Sequence, residues 1–374
     1  MEGYIEKITP FIVMDLLAEA RQLPDAIHME VGEPDLPPSH RVQEAYMKAI
    51  RDRRFCYTPA KGLPELRERI SEYYLDCYNV NVSPERIIIT PGTSGAFLVV
   101  FALVAHTGKR IVLTDPSYPC YKNFLYFLKS EPLFVPVGPD TSYRIVSEMI
   151  PRGQNAGAMV VSSPSNPTGT VYRDKELEAL VEYSSRNNLL FISDEIYHGL
   201  VYDGRAETAL RFSDEVVVIN SFSKYFCMPG LRVGWMILPE HLLRTAEIIV
   251  QNIFIAANTP AQYAALEAFD RGYLEMVRDT YRERRDYLYD ALKDILLIDA
   301  HPDGAFYLWA GIGNSSLNSM EFSQRLLREQ HVAVTPGVDF GTHNTDDHIR
   351  LAYTCSMERL KEGVARIREF LGGL

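Results

Sequence analysis

From about residue 86 the chain repeats one pattern: a short continuous apolar run, then an amphipathic stretch, then another apolar run. The runs are RIIIT (86–90), RIVLTD (110–115), EPLFVPV (131–137), AMVVSSP (158–164), LLFISDE (189–195), VVVIN (216–220) and RVGWMIL (232–238). They do not alternate apolar with polar residues, so neither face of these strands is expected to meet water. Several intervening segments, such as DKELEALVEYSSRNN (174–188), carry helical spacing. Buried strands separated by helices imply a mainly parallel sheet covered on both faces, an α/β architecture that binds ligands at the carboxyl ends of its strands. After about residue 258 the character changes. A long helical stretch (272–295) leads to the isolated strand HPDGAFYLWAGI (301–312), a helix around 319–331, the strands VAVTP and HIRLAYT, and a terminal helix from Ser356. This predicts a large domain over 46–275 and a smaller α+β domain from 276–374, completed by the N-terminal arm 1–45, with a cleft between them.

With 374 residues, 47% of them hydrophobic, the chain can fill the cores of two lobes. Its net charge of −11 disfavours binding to a nucleic-acid backbone, so any bound anion must be held by local geometry. The five cysteines (56, 77, 120, 227 and 355) are odd in number and form no Cys-x-x-Cys pair. That argues against a disulfide framework or a structural zinc and for a reducing compartment. The start, MEGYIEKITPFIVMDLLAEA, lacks a basic segment followed by an apolar one, and the longest apolar run, GAFLVVFALVA (95–105), is too short to span a bilayer. The expected location is the cytoplasm.

Four strand ends finish in polar residues rather than in bland turns. In TPGTSGA (90–96) a strand runs into a glycine-containing turn that opens a helix, where free N–H groups and the helix dipole suit a phosphate; a simple cap by Thr93 or Ser94 explains the same residues. In DPSYPCY (115–121), Tyr118 between two prolines could stack on a planar ligand or sit in a surface turn. In SSPSNPTG (162–169), Asn166 precedes a proline and is forced out of the α region; its amide could reach a ligand oxygen or its own backbone. In FISDEIY (191–197), Asp194 ends an apolar strand, either capping a helix or aimed at a ligand that must bring a cation or donors.

A fifth strand end carries a lysine. In SFSKYFCMPGLRVGW (221–235), Lys224 stands among apolar residues, with Ser221 and Ser223 before it and Arg232 after it. Burial and a neighbouring cation both disfavour ammonium, and a neutral amine condenses with an aldehyde. The hydroxyls and Arg232 would suit a nearby phosphate. Phosphate cradle, stacking aromatic, oxygen donor, buried carboxylate and nucleophilic lysine together describe pyridoxal 5′-phosphate.

At this point the sequence resembles the class I/II aminotransferases of the fold-type-I pyridoxal-phosphate enzymes, from VGEPD (31–35) through YTPAKGLPELR (57–67), SSPSNPTG, SDEIY and SFSK to HIRLAYT. Cys227 occupies a position where that family usually carries a small residue. The resemblance implies a transaminase working by a ping-pong mechanism, with Lys224 as the Schiff-base lysine and proton shuttle. Asp194 would pair with the pyridinium nitrogen, Asn166 and Tyr197 would hydrogen-bond the ring's phenolate oxygen, and Tyr118 would stack on the ring. Thr93, Ser94, Ser221, Ser223 and Arg232 would hold the phosphate. Tyr57 would reach the phosphate of a neighbouring subunit, implying a homodimer with shared sites. Arg350 would bind the substrate α-carboxylate, the alternative being a salt bridge to Asp346 or Asp347, and Gly32 would lie beside that carboxylate, where a side chain would obstruct it.

Other readings fare worse. The set His343, Asp346, Asp347 and His348 lies in a polar loop without the fixed spacing of a metal site, so no metal is expected. A dinucleotide-dependent dehydrogenase lacks its glycine fingerprint here. Transcription regulators with an aminotransferase-like domain add a basic DNA-binding domain, which this acidic chain does not show. The C–S β-lyases of the same superfamily are the closer alternative; they commonly lose the arginine eight residues after the lysine, whereas Arg232 is present. The amino acid and 2-oxo acid are not legible: no second arginine is identifiably placed for a dicarboxylate, and aromatic residues are too widespread to mark a pocket.

Overall fold

A computed structural model describes residues 3–373 apart from Arg152 and Asn314. The N-terminal part supplies helix α1 (Ile12–Ala20), the two-residue strand β1 (Ile27–His28), and helices α2 (His40–Arg51) and α3 (Pro64–Tyr78). The sheet predicted from the apolar runs then follows as β2 (Ile87–Thr90), β3 (Arg110–Asp115), β4 (Pro132–Pro136), β5 (Ala156–Ser162), β6 (Leu190–Asp194), β7 (Val217–Ser221) and β8 (Gly234–Ile237). Its order is β2-β8-β7-β6-β5-β3-β4. Every pairing is parallel except those of β8, which runs antiparallel to β2 and β7.

Burial of both faces explains the lack of alternation: every residue of β2, β7 and β8 is buried. One face is covered by α4 (Gly92–Ala105), which is apolar nearly all round and packs Phe97, Val100 and Phe101 into the core, together with α5 (Cys120–Phe127) and α7 (Glu240–Ile253). The other face meets α6 (Asp174–Arg186), α3 and α8 (Thr259–Ala265). Register then aligns the carboxyl ends: Ser162 of β5 lies opposite Asp194 of β6, and Asp194 lies opposite Ile219 of β7. The polar segments that follow these three strands therefore emerge side by side.

Helix α9 (Arg271–Leu292) leads to the second lobe. Here β9 (Tyr307–Gly311), β11 (Thr335–Pro336) and β12 (His348–Ala352) form an antiparallel sheet in the order β11-β12-β9, backed by α10 (Ser319–Gln330) and α11 (Met357–Gly372). The arm is tied in by β1, which pairs in parallel with β10 (Val332–Ala333). The run 301–312, expected as an isolated strand, is thus part of a sheet and is extended only over Tyr307–Gly311. Among the described residues, no helix is long and apolar enough to cross a membrane.

Candidate active site

The segment after β7 folds into a tight loop. The N–H of Phe222 donates to Val233 O at 3.0 Å and that of Met228 to Phe222 O at 2.9 Å. Phe222 packs against Phe226 and Trp235, with ring centroids 5.0 and 4.9 Å apart, which locks the loop against the core. Cys227 takes a left-handed φ of 55°, where glycine, having no Cβ, would sit with the least strain. The loop delivers Lys224 to a cavity of about 180 Å³ between the lobes. Its Nζ donates to Gly32 O at 2.6 Å and has no carboxylate partner among the described residues. Burial, helped by the charge of Arg350, lowers its pKa to about 8, against the opposing pull of Glu33.

Asp194 lies in the same cavity, almost wholly buried. It accepts the hydroxyl proton of Tyr121 and the N–H of Ile196, the latter at 3.2 Å, but meets no cation among the described side chains. Burial pushes its pKa up to about 6 in spite of these donors. Tyr121 escaped the sequence reading although it closes the quoted DPSYPCY. Tyr118, chosen there, lines the cavity and packs edge-to-face on Tyr121 with centroids 5.3 Å apart.

Asn166 accepts from Arg350 Nη1 at 2.9 Å through Oδ1, so its amide N–H₂ remains free of protein acceptors among the described residues. Arg350 also donates to Glu30 O and to Thr335 Oγ1, while its Nε is buried without a partner. The guanidinium sits 4.3 Å from the ring centre of Tyr307 and 4.8 Å from that of Phe340. It makes no ion pair with Asp346 or Asp347; Asp347 is taken by His348 at 2.7 Å. His348 is itself buried, stacked on Trp309 and close to Asp299, and belongs to no metal-like cluster. Among the described residues such a cluster is offered only by Asp203, His301 and Asp303, which lie apart from the cavity lining.

Tyr197 exchanges a hydrogen bond with Tyr307 at 2.7 Å between hydroxyl oxygens. Tyr307 is a second residue the sequence reading passed over, and it changes the account of Gly32. A Cβ at Gly32 would lie 1.9 Å from the Tyr307 hydroxyl, so the first group a side chain there would displace is this tyrosine.

Four of the remaining expected residues, Thr93, Ser94, Ser223 and Arg232, form the anion end. Helix α4 is preceded by Pro91, and no side chain caps it; Thr93 and Ser94 lie inside its first turn and line the cavity. Arg232 lies against the start of this helix, since a Cβ at Gly92 would come within 2.6 Å of its Nη2, and the left-handed φ of 68° at Gly92 also favours glycine. Ser223 and Arg232 line the cavity. Ser221 does not: it is fully buried and its Oγ accepts the N–H of Ser223 at 3.1 Å, holding the loop. Tyr57 is also outside the cavity, 79% exposed on the surface.

This donor set has a definite chemical shape. An uncapped helix N-terminus beside an arginine without a carboxylate partner suits a dianionic phosphate. A buried carboxylate without a cation suits a protonated ring nitrogen, and an amine of lowered pKa suits an aldehyde. One compact group, a phosphorylated pyridine aldehyde, satisfies all three.

Comparison with known proteins agrees. The family described as "Aminotransferase class I and II" matches residues 24–367. The chain is 37% identical to the (5-formylfuran-3-yl)methyl phosphate transaminase of Methanocaldococcus jannaschii, over 96% of each chain. It is 34% identical to the valine–pyruvate aminotransferase of Mycobacterium tuberculosis, over 97% of each. A solved aminotransferase structure from Mycobacterium tuberculosis superposes with a TM-score of 0.95 at 34% identity, covering 99% of this chain and 98% of the other. The aspartate aminotransferase of Thermus thermophilus with maleate superposes with a TM-score of 0.92 at 30% identity, covering 99% and 100%.

Proposed function

The chain belongs to the class I and II aminotransferases, pyridoxal-phosphate-dependent enzymes that transfer amino groups, and from that premise we propose that it moves an amino group between an L-amino acid and a 2-oxo acid in two alternating half-reactions. The observation that supports this reading is a single cavity holding a lysine amine and a buried carboxylate, neither paired with an opposite charge among the described residues, beside two arginines free of carboxylates. When bound, pyridoxal phosphate supplies an aldehyde for amine exchange and a protonated ring that accepts the electron pair left at the substrate Cα.

The roles proposed for the residues follow from their surroundings. Thr93, Ser94, Ser223 and Arg232 hold the phosphate, and Ser221 keeps Ser223 in place through the loop. Asp194, oriented by Tyr121, holds the proton on the ring nitrogen. The amide of Asn166 and the hydroxyl of Tyr197 would donate to the ring oxygen, and Tyr118 would lie against the ring. Arg350, already aligned by Asn166 and Thr335, orients the α-carboxylate. Nζ of Lys224, neutral above about pH 8, is the amine that would meet the aldehyde and would hold the proton removed from Cα. The enzyme is further proposed to be a cytoplasmic homodimer in which Tyr57 serves the partner's site; support comes from its exposure, the acidic charge and five free cysteines.

Mixing the holoenzyme with single amino acids tests this. The expected result is one equivalent of 2-oxo acid per site without ammonia, reversed by a second 2-oxo acid. Pyruvate and ammonia from β-substituted amino acids, with no half-reaction, would identify a lyase instead.

A further inference from the structure

Glu195 is fully buried and stands outside the cavity lining, although it follows Asp194 directly. It belongs to the turn after β6, which the N–H of His198 closes by donating to Glu195 O at 3.0 Å. That turn has two faces. Asp194 and Tyr197 line the cavity, whereas Glu195 and His198, one position further on in each case, meet Tyr74 and Tyr78 of α3 behind it.

The rear face is densely bonded. Oε1 of Glu195 accepts the hydroxyl of Ser193 at 3.1 Å, that of Thr208 at 2.8 Å and the N–H of Ala209 at 3.1 Å. Oε2 accepts the hydroxyl of Tyr74 at 3.3 Å and stands 3.4 Å from Nδ1 of His198. That nitrogen shares a hydrogen bond with the Tyr78 hydroxyl at 3.0 Å, while Nε2 is buried near the Ser163 backbone, outside hydrogen-bond geometry. Tyr74 in turn accepts from Nε1 of Trp235 at 3.4 Å, and Trp235 packs on Phe222 in the loop that carries Lys224. One side chain therefore ties the end of β6 to α3, to residues 208–209 and, through Tyr74, to the lysine loop.

Burying an ionisable pair is costly, and apolar side chains would fill the same space without that penalty. Burial pushes Glu195 up to about 8 and holds His198 down to about 3, so near neutral pH both are uncharged. What the network supplies that hydrocarbon does not is direction, because four donors aimed at one carboxyl group hold the turn in a single orientation.

We propose that Glu195 is a positioning residue: with Tyr74 and His198 it fixes the back of the turn so that the Asp194 carboxylate and the Tyr197 hydroxyl face the cofactor ring in register with Lys224. This rests on the reading of Asp194 and Tyr197 above.

Visible absorbance of the bound cofactor across the pH range, together with titration of apoenzyme by pyridoxal phosphate, tests it. A ring cation held by Asp194 and donors on the ring oxygen both draw electrons from the ring, and so favour loss of the proton that sets the absorbance. In Glu195→Ala the midpoint is expected to rise by about one pH unit, and pyridoxal phosphate to bind about tenfold more weakly. Glu195→Gln keeps an acceptor for the three Oε1 donors and is uncharged like the buried acid, so it should retain the wild-type midpoint and affinity. If Glu195→Ala does not fold, Glu195→Asp, whose carboxyl is withdrawn by one methylene, carries the same expectation as the alanine variant. A variant of either kind that melts at a lower temperature but keeps the wild-type midpoint and affinity would show a merely structural role and overturn the inference. Asp194→Ala separates the two layers of the argument. A midpoint shifted there but not in the Glu195 variants overturns this inference alone, whereas an unshifted midpoint in Asp194→Ala removes the reading of Asp194 and the inference with it.

Discussion

Lys224 and Asp194 show how a cavity sets charge. The lysine loses its proton readily because burial and the Arg350 guanidinium disfavour a second cation, so its pKa falls from an ordinary 10.5 to about 8. Uptake of pyridoxal phosphate by apoenzyme needs the neutral amine. Its rate is therefore expected to rise through pH 8 and level off above it; in Arg350→Met, which removes a cation, the midpoint should move to higher pH. Stopped-flow absorbance from pH 6 to 10 decides, and a flat profile would contradict the assignment. Asp194 moves the opposite way, up to about 6, and the Tyr121 hydroxyl is the largest influence holding it down. In Tyr121→Phe its proton affinity rises further and its carboxylate is less well oriented toward a ring cation. Loss of a hydrogen bond to a charged group predicts about tenfold weaker cofactor binding, measured by graded reconstitution of apoenzyme. At this scale the sequence exposed residues with unusual neighbours, such as Lys224 and Asn166, and missed Tyr121 and Tyr307. A tyrosine, whether it closes a turn or sits in an apolar run, carries no local sign that its hydroxyl meets a residue 73 or 110 positions away.

Among elements, legibility followed length. Strands of four to seven residues announced themselves as apolar runs, and their ends marked the site, although the edge strand β4 exposes Phe134 and Pro136. The pairing of β1 with β10 was invisible, since two residues show no periodicity. The role of α1 was invisible as well: the sequence reading took the start of the chain only as an arm, and only the fold sets its apolar residues over the cavity. What holds it is a carboxylate from elsewhere. Asp339 is buried, bonds the N–H of Ile12, and faces the positive end of the helix dipole. Removing such a cap costs about 1 kcal/mol, so Asp339→Ala should speed amide exchange at Ile12 and Val13 about fivefold, leaving exchange in β7 unchanged. Hydrogen-exchange mass spectrometry over residues 9–20 reads this, and equal rates in both proteins would mean that packing alone seats the helix.

For the whole molecule, the surface around Tyr57 is hard to reconcile with an isolated chain. Phe55, Tyr57, Ile253 and Ile255 are each at least half exposed. They share one region, because Thr259 Oγ1 donates to Cys56 O at 2.8 Å and Arg54 stacks on Tyr263. Ile255 holds a left-handed φ of 65°, a strain that a β-branched residue keeps only where its surroundings enforce it. Such a patch is expected at a subunit interface. Mixed dimers separate a contribution across that interface from one within the chain. When Lys224→Ala and Tyr57→Ala chains are co-expressed with different tags, the Tyr57→Ala subunit keeps its own lysine and borrows Tyr57 from its partner, while the other site carries both lesions. Each purified heterodimer should then hold one site of wild-type cofactor affinity, which neither parental homodimer possesses. If that site binds as weakly as in the Tyr57→Ala homodimer, Tyr57 does not act across the interface, and a sedimentation profile of monomers alone would remove the interface as well.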